Sequence, residues 1–287
     1  MYNTVAENGH KEQNMLGNDL KWLIKHEFPE VFNLISKIIF KSLMPSFNKT
    51  LIPLTIVCTS SSSGSDSIQG SLKLLHDTIC SLELVLKPSK SQSTFKASFR
   101  TDKQWKLQQI QDAYNHIKQA GELLRSMQDE NFTPEGLVIA LGCIIQHLSR
   151  CKQRLHSPTK LPLRALIGSA FSKMFTPSLP GDTLINLYVL EDKLVMASYT
   201  VQQATSNLPL KNGRVSTSSP ALFHNTNSTL DHAGVRYEVQ SANKGECVVP
   251  ILSNLLATVS SAHSVCENLR NKLLTLQDEW QYFTLSA

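Results

Sequence analysis

The sequence predicts an α+β protein: an antiparallel four-helix bundle built from discontinuous segments, plus a mainly antiparallel β domain. Three observations predict it. Four stretches carry apolar residues at alternating spacings of three and four, the period of a helix with one buried face. Between them lie short runs that alternate apolar and polar residues, the period of half-buried strands. The helical stretches fall at the start, middle and end of the 287-residue chain, so packing them together makes both domains discontinuous. The expected boundaries are a disordered tail over 1–16, a helical domain from 17–48, 100–158 and 248–287, and a β domain from 49–99 and 159–247 with a long loop over 202–234.

The opening helix is expected from about Asn18 to Leu43, with Leu20, Leu23, Ile24, Val31, Leu34, Ile35 and Ile38 on one face. Pro29 lies inside it and should kink or restart it, because proline lacks an N–H and clashes with the preceding turn. Leu54 to Cys58 is a β-type run, and the serine-rich stretch 60–67 reads as a flexible connector. Ser71–Leu75, Leu82–Leu86 and Thr94–Phe99 follow as strands, with a turn at 87–90.

In the central stretch, Thr101 followed by Gln104 is a capping-box pattern that places a helix start there. Leu107, Ile110, Tyr114, Ile117, Gly121 and Leu124 form its buried stripe, and it ends near Ser126. Trp105, Gln109, Asp112 and His116 lie on the opposite face and are the candidate partner-binding row. Trp105 has a plainer reading as well, packing on a neighbouring element.

Thr133-Pro134-Glu135 starts the next helix, a capping hydroxyl followed by proline in the first turn. Its stripe is Leu137, Leu141, Ile144, Leu148, Cys151 and Leu155, Pro158 stops it, and Gly136 and Gly142 are read as close-packing positions. A short helix within 161–175 and strands over 184–190 and 193–200, joined by a tight turn at Glu191-Asp192, come next. After the loop, Val235–Val239 is one more strand.

The last helix holds the three-four alternation through Leu252, Leu255, Val259, Ala262, Cys266, Leu269, Leu273, Leu276, Trp280 and Phe283. Burying each large apolar side chain contributes about 1.5–3 kcal/mol, so this stripe is a main source of stability. Leu256 and Val265 widen it beyond a two-helix seam, which favours packing within the chain over a parallel dimer.

The net charge of +5 is spread over scattered lysines and arginines without an aromatic-basic motif, which argues against nucleic acid. The basic stretch from Arg150 to Arg164 reads as a solvated helix end. None of the six cysteines forms a CxxC pair, as expected of reduced thiols. No apolar run approaches the roughly 20 residues needed to span a bilayer, and the polar N-terminus does not resemble a signal peptide, so direct membrane insertion is not expected and the compartment is cytosol or nucleus.

HExxH, P-loop, GxGxxG and GxSxG patterns do not occur. No catalytic, cofactor-binding or metal residue is therefore assigned, and the chain is expected not to be an enzyme. His263 and Cys266, three apart on one helix, could face a metal together, but without two more ligands in view they make a weak case and no metal site is assigned to them. Two classes remain: an interaction subunit, or an enzyme whose site assembles only in three dimensions.

The segment DKQWKLQQIQDAYNHIKQA, from Asp102 to Ala120, is similar to the signature segment of the Rogdi family, described as leucine-zipper proteins. The resemblance extends to Leu20-Lys21-Trp22-Leu23, Lys173-Met174-Phe175, Leu179-Pro180 and Glu246-Cys247-Val248-Val249-Pro250. It implies a helical bundle plus a β domain. It also implies a non-catalytic adaptor or regulatory subunit, like the small subunit of the RAVE complex, that promotes vacuolar ATPase assembly and vesicle acidification. The implied partners are rabconnectin-3-type scaffold subunits and the ATPase sectors, with no cofactor. The chain by itself is expected to be a monomer, cytoplasmic and peripherally associated with vesicles through its partners, with a nuclear or nuclear-envelope pool. The alternative is a nuclear or cytoskeletal interaction module, homodimerising through the C-terminal helix and unrelated to the pump.

Overall fold

A computed structural model describes residues 11, 14–43, 51–58, 67–87, 94–127, 133–157, 163–167, 169–204 and 229–286. The chain divides into two units, each assembled from separated segments. A helical unit takes Met1–Asn48, Asp112–Gln153 and Asn254–Ala287, and a β-rich unit takes Lys49–Gln111 and Arg154–Ser253.

In the β-rich unit the alternating runs become strands β1 (Ile52–Cys58), β2 (Ser67–Leu75), β3 (Thr78–Lys87) and β4 (Phe95–Phe99). The remaining strands are β5 (Trp105–Lys106), β6 (Phe175–Thr176), β7 (Thr183–Leu190), β8 (Lys193–Gln203), β9 (Thr229–His232) and β10 (Val235–Val248). All belong to one ten-stranded sheet of order β6-β4-β3-β2-β1-β10-β8-β7, with β5 beside β3 and β9 beside β10, and every described pairing is antiparallel. The turn between β7 and β8 falls at Glu191, whose φ of 59° lies in the left-handed region. Asp192 beside it accepts the Val249 N–H at its carbonyl (2.8 Å) and the Ser253 hydroxyl at its carboxylate (2.7 Å), fixing the start of the last helix to this hairpin.

The helices are α1 (14–22), α2 (Phe28–Lys37), α3 (Gln108–Ser126), α4 (Pro134–His156), α5 (Leu163–Leu166) and α6 (Pro250–Ser286). The Thr133 hydroxyl accepts the Gly136 N–H at 3.2 Å, the N-cap bond its sequence position calls for. Leu137, Leu141, Ile144, Leu148, Cys151 and Leu155 on α4 are all buried, as are Leu252, Leu255, Val259, Ala262, Cys266, Leu269 and Leu273 on α6.

The expected four-helix bundle is corrected. Its opening member is not one α-helix: π-helical stretches Leu23–Glu27 and Ile38–Leu43 flank α2. The first ends just before Pro29, where a wider turn accommodates a residue that cannot donate to the ladder. The β part, moreover, is large: among the described residues ten strands join one sheet, so the chain is α+β with an extensive β-rich unit rather than a helical bundle that defines the fold. Within the helical unit the helices meet at particular side chains. A Cβ on Gly121 of α3 would stand 3.0 Å from the Phe40 ring and 3.3 Å from Ile39, a tight approach at which any larger residue would make those side chains give way. Gly142 has only an ordinary contact, 3.7 Å to Arg270 Nε. Lys272 of α6 pairs with Glu27, and Gln277 donates to Glu135 at 3.0 Å.

Other expectations shift as well. The helix predicted to begin at Thr101 begins at Gln108, because Trp105 and Lys106 pair with Ile79 and Thr78 of β3 instead. The region expected as a loop over 202–234 contributes the end of β8 and all of β9, and β10 is far longer than Val235–Val239. The short helix expected within 161–175 is α5 plus a 3-10 turn at Ser172–Met174. The serine-rich connector up to Asp66 and the turn beyond Lys87 lie outside the described residues, as does most of the tail.

Candidate functional site

The four residues of the candidate row are divided between the two units: Trp105 and Gln109 belong to the β-rich unit, Asp112 and His116 to the helical unit. Trp105 is half-buried in a strand, its indole edge-on to Phe171 at 4.7 Å. Phe171 in turn meets Phe99 at 5.7 Å and Phe175 at 5.4 Å. The tryptophan thus closes an aromatic cluster that ties β4, β5 and β6 together, an arrangement that adds to plain area burial.

Gln109 is 7% exposed. Its amide Nε2 donates to the Val189 carbonyl at 2.9 Å and to the Arg154 carbonyl at 3.2 Å, while its Oε1 accepts the Val189 N–H at 2.9 Å. Since β7 is an edge strand, this side chain supplies the donor and acceptor that a further strand would offer at Val189, and so closes the edge at that point. Gln109 is spent on the chain's own backbone. Sequence periodicity put it opposite the buried stripe because nothing in the sequence reveals a glutamine that caps a strand eighty positions away.

Asp112 and His116 are half-buried on α3. His116 faces His147 of α4, with ring centroids 5.6 Å apart and Nδ1 atoms 3.4 Å apart. Burial, then the neighbouring His116 and Arg150, hold the His147 ring below the usual protonation range of histidine. His263, considered above with Cys266, is engaged elsewhere: its Nε2 lies 2.8 Å from the Ser149 hydroxyl and its Nδ1 3.1 Å from Glu267. Cys266 is buried, and burial pushes its thiol up to about 12, as it does that of Cys151. Cys247 is pushed up to about 11 by the same cause. Thiols in this state are packing groups rather than nucleophiles. Among the described residues no three His, Cys, Asp or Glu side chains gather as metal ligands, and no helix is long and apolar enough to cross a membrane.

The exposed large apolar side chains lie elsewhere. Trp22 is 59% exposed at the end of α1, its ring against His26 at 5.7 Å, and Met15 (65%) and Leu34 (46%) stand on the same opening segment. The signal was present in the sequence: Trp22 immediately precedes Leu23 and falls off the stripe of Leu20, Leu23 and Ile24.

Residues 19–222 match the family model described as Rogdi leucine zipper containing protein. The chain is 31% identical to the protein rogdi homolog of Danio rerio over 279 residues, 94% of this chain and 96% of the relative. It is 33% identical to the Homo sapiens homolog over 224 residues, 77% of each chain. With protein rogdi of Drosophila melanogaster the identity is 32% over 137 residues, 47% of this chain and 51% of the relative. None of these names denotes a catalytic activity.

Proposed function

This chain belongs to the Rogdi family, and we propose on that premise that it is a non-catalytic adaptor in a complex promoting vacuolar ATPase assembly and vesicle acidification. Its partners in this reading are large scaffold subunits of the rabconnectin-3 type, together with ATPase sectors. That role rests on the family resemblance alone. The observation that supports an adaptor's contact surface is the exposed Trp22, since a large aromatic held on a helix and open to solvent is the kind of residue that dominates interface energetics. The candidate contact thereby moves from Trp105, engaged with Phe171, to Trp22.

The test is mild affinity purification of the tagged chain from its own cells, wild type beside Trp22→Ala and Trp105→Ala. Wild type should retain scaffold and ATPase subunits in stoichiometric amounts. Trp22→Ala should reduce that capture by about tenfold or more, as loss of an interface anchor does, with its melting temperature unchanged. Trp105→Ala should lower the melting temperature and keep capture per folded molecule. A wild-type chain that comes through clean, without scaffold or ATPase subunits, removes the proposed role.

A further inference from the structure

We propose that His116 and His147 form a two-histidine site for a borderline divalent transition-metal ion of the zinc, nickel or copper class, clipping α3 to α4 within the helical unit. The geometry carries the proposal. Two imidazole nitrogens bound at about 2.0–2.1 Å to one tetrahedral Zn2+ stand about 3.4 Å from each other. The two Nδ1 atoms are already 3.4 Å apart. Both rings are half-buried rather than sealed, so an ion and its waters can reach them. Their backbones are held by buried neighbours on either side, Ile117 on α3 and Ile144 and Leu148 on α4. Such fixed ligands lose little freedom on binding.

As found, the two Nδ1 atoms share one hydrogen bond, one ring donating and the other accepting. Metal binding replaces that shared proton. Both Nδ1 lone pairs turn to the ion, and the ring that donated carries its proton on Nε2 instead, so no proton is released in net. Imidazole nitrogen selects zinc, copper and nickel over magnesium or calcium, which prefer oxygen. Since no third His, Cys, Asp or Glu completes a group of three among the described residues, water takes the remaining positions. That makes an exchangeable site rather than a permanent structural one.

The full-length protein, stripped with a chelator, is titrated with ZnCl2 or CuCl2 and, as a control, MgCl2. Zinc should raise the melting temperature while magnesium leaves it unchanged, since a ligand that binds only the folded state stabilises it. His116→Gln and His147→Gln should each weaken zinc binding by about tenfold or more, and His263→Gln should not. No zinc-induced rise in the wild type, or wild-type affinity in both pair variants, overturns the proposal. Should the pair variants fail to fold, electron paramagnetic resonance of the copper-loaded wild type decides it. Two coordinated imidazole nitrogens support the site, and one or none overturns it.

Discussion

Two parts of the sheet are buried in different ways. Along β2 and β3, Ile68, Leu72, Leu74, Leu82, Leu84 and Leu86 are buried while Gln69, Ser71, Lys73 and Glu83 face solvent. Along β7 and β8, every residue from Leu184 to Val189 and from Leu194 to Tyr199 is buried. One face of that hairpin, with Leu184, Tyr188, Val195, Ala197 and Tyr199, joins a core with Leu163 and Leu166 of α5 and Val239 of β10. The other face reaches β2: the Met196 methyl stands 3.4 Å from where a Cβ on Gly70 would lie. The same antiparallel sheet thus has a one-sided half and a two-sided half. A strand's pattern reports how many faces are covered, not merely that it is a strand.

Adjacent substitutions give the sharpest test of this contrast. Val195→Asp and Met196→Asp point to opposite faces of β8, and both should cost more than about 4 kcal/mol, because each buries an unpaired charge. On β2, Leu72→Asp should be as damaging, whereas Gln69→Lys should stay within about 0.5 kcal/mol. Chemical denaturation of the four variants measures this directly. A well-folded Met196→Asp protein would show that the second face is not covered.

Next in size is the edge of the two-sided half. Gln109→Leu removes three hydrogen bonds and leaves the Val189 N–H and two carbonyls without that partner. The expected cost is about 2–4 kcal/mol, the desolvation penalty of buried groups left unmade. Hydrogen exchange should quicken at Val189 before it does in β2. Unchanged stability would mean water replaces the amide, and the edge is open rather than closed.

What the sequence made legible follows the same division. Alternation identified β2, β3 and β4 and also told which side faced solvent. The run Leu184–Leu190 was legible as a strand from its length and the turn after it, but a run apolar at nearly every position cannot say what covers either face. Three-four spacing gave α4 its buried stripe residue by residue and α6 its stripe from Leu252 to Leu273, while Leu276 is half-buried and the side chains of Trp280 and Phe283 lie outside the described residues. The start of α3 was misread because Thr101 and Gln104 satisfy a local capping pattern, while pairing of Trp105 and Lys106 with β3 is non-local and prevails. The π-helical stretches escaped for a related reason: the turns around Pro29 are settled by packing, and periodicity blurs where one residue is added. Of the candidate row, spacing fixed the order of Trp105, Gln109, Asp112 and His116 but not their neighbours. Phe171, Val189 and His147 arrive from elsewhere in the chain.

The smallest expected effect lies where the covered hairpin meets open surface. Glu246 of β10 accepts a hydrogen bond from Lys193 of β8 at 2.7 Å and pairs with Lys244 at 3.4 Å. The Lys193 bond, against a burial contribution and with help from Lys244, holds the Glu246 carboxyl below the usual glutamate range. A carboxyl depressed on folding adds stability that is present above its unfolded value and lost as pH falls through its folded value. Glu246→Gln should therefore lower the melting temperature slightly at neutral pH and flatten its fall on acidification below about pH 4.5. The two proteins should converge once both carboxyl states are protonated. The effect is small because the side chains on both sides are more than a third exposed, where water and salt screen an ion pair. An effect as large as that of Gln109→Leu would place this pair inside the covered region and move the boundary between the two halves to β10.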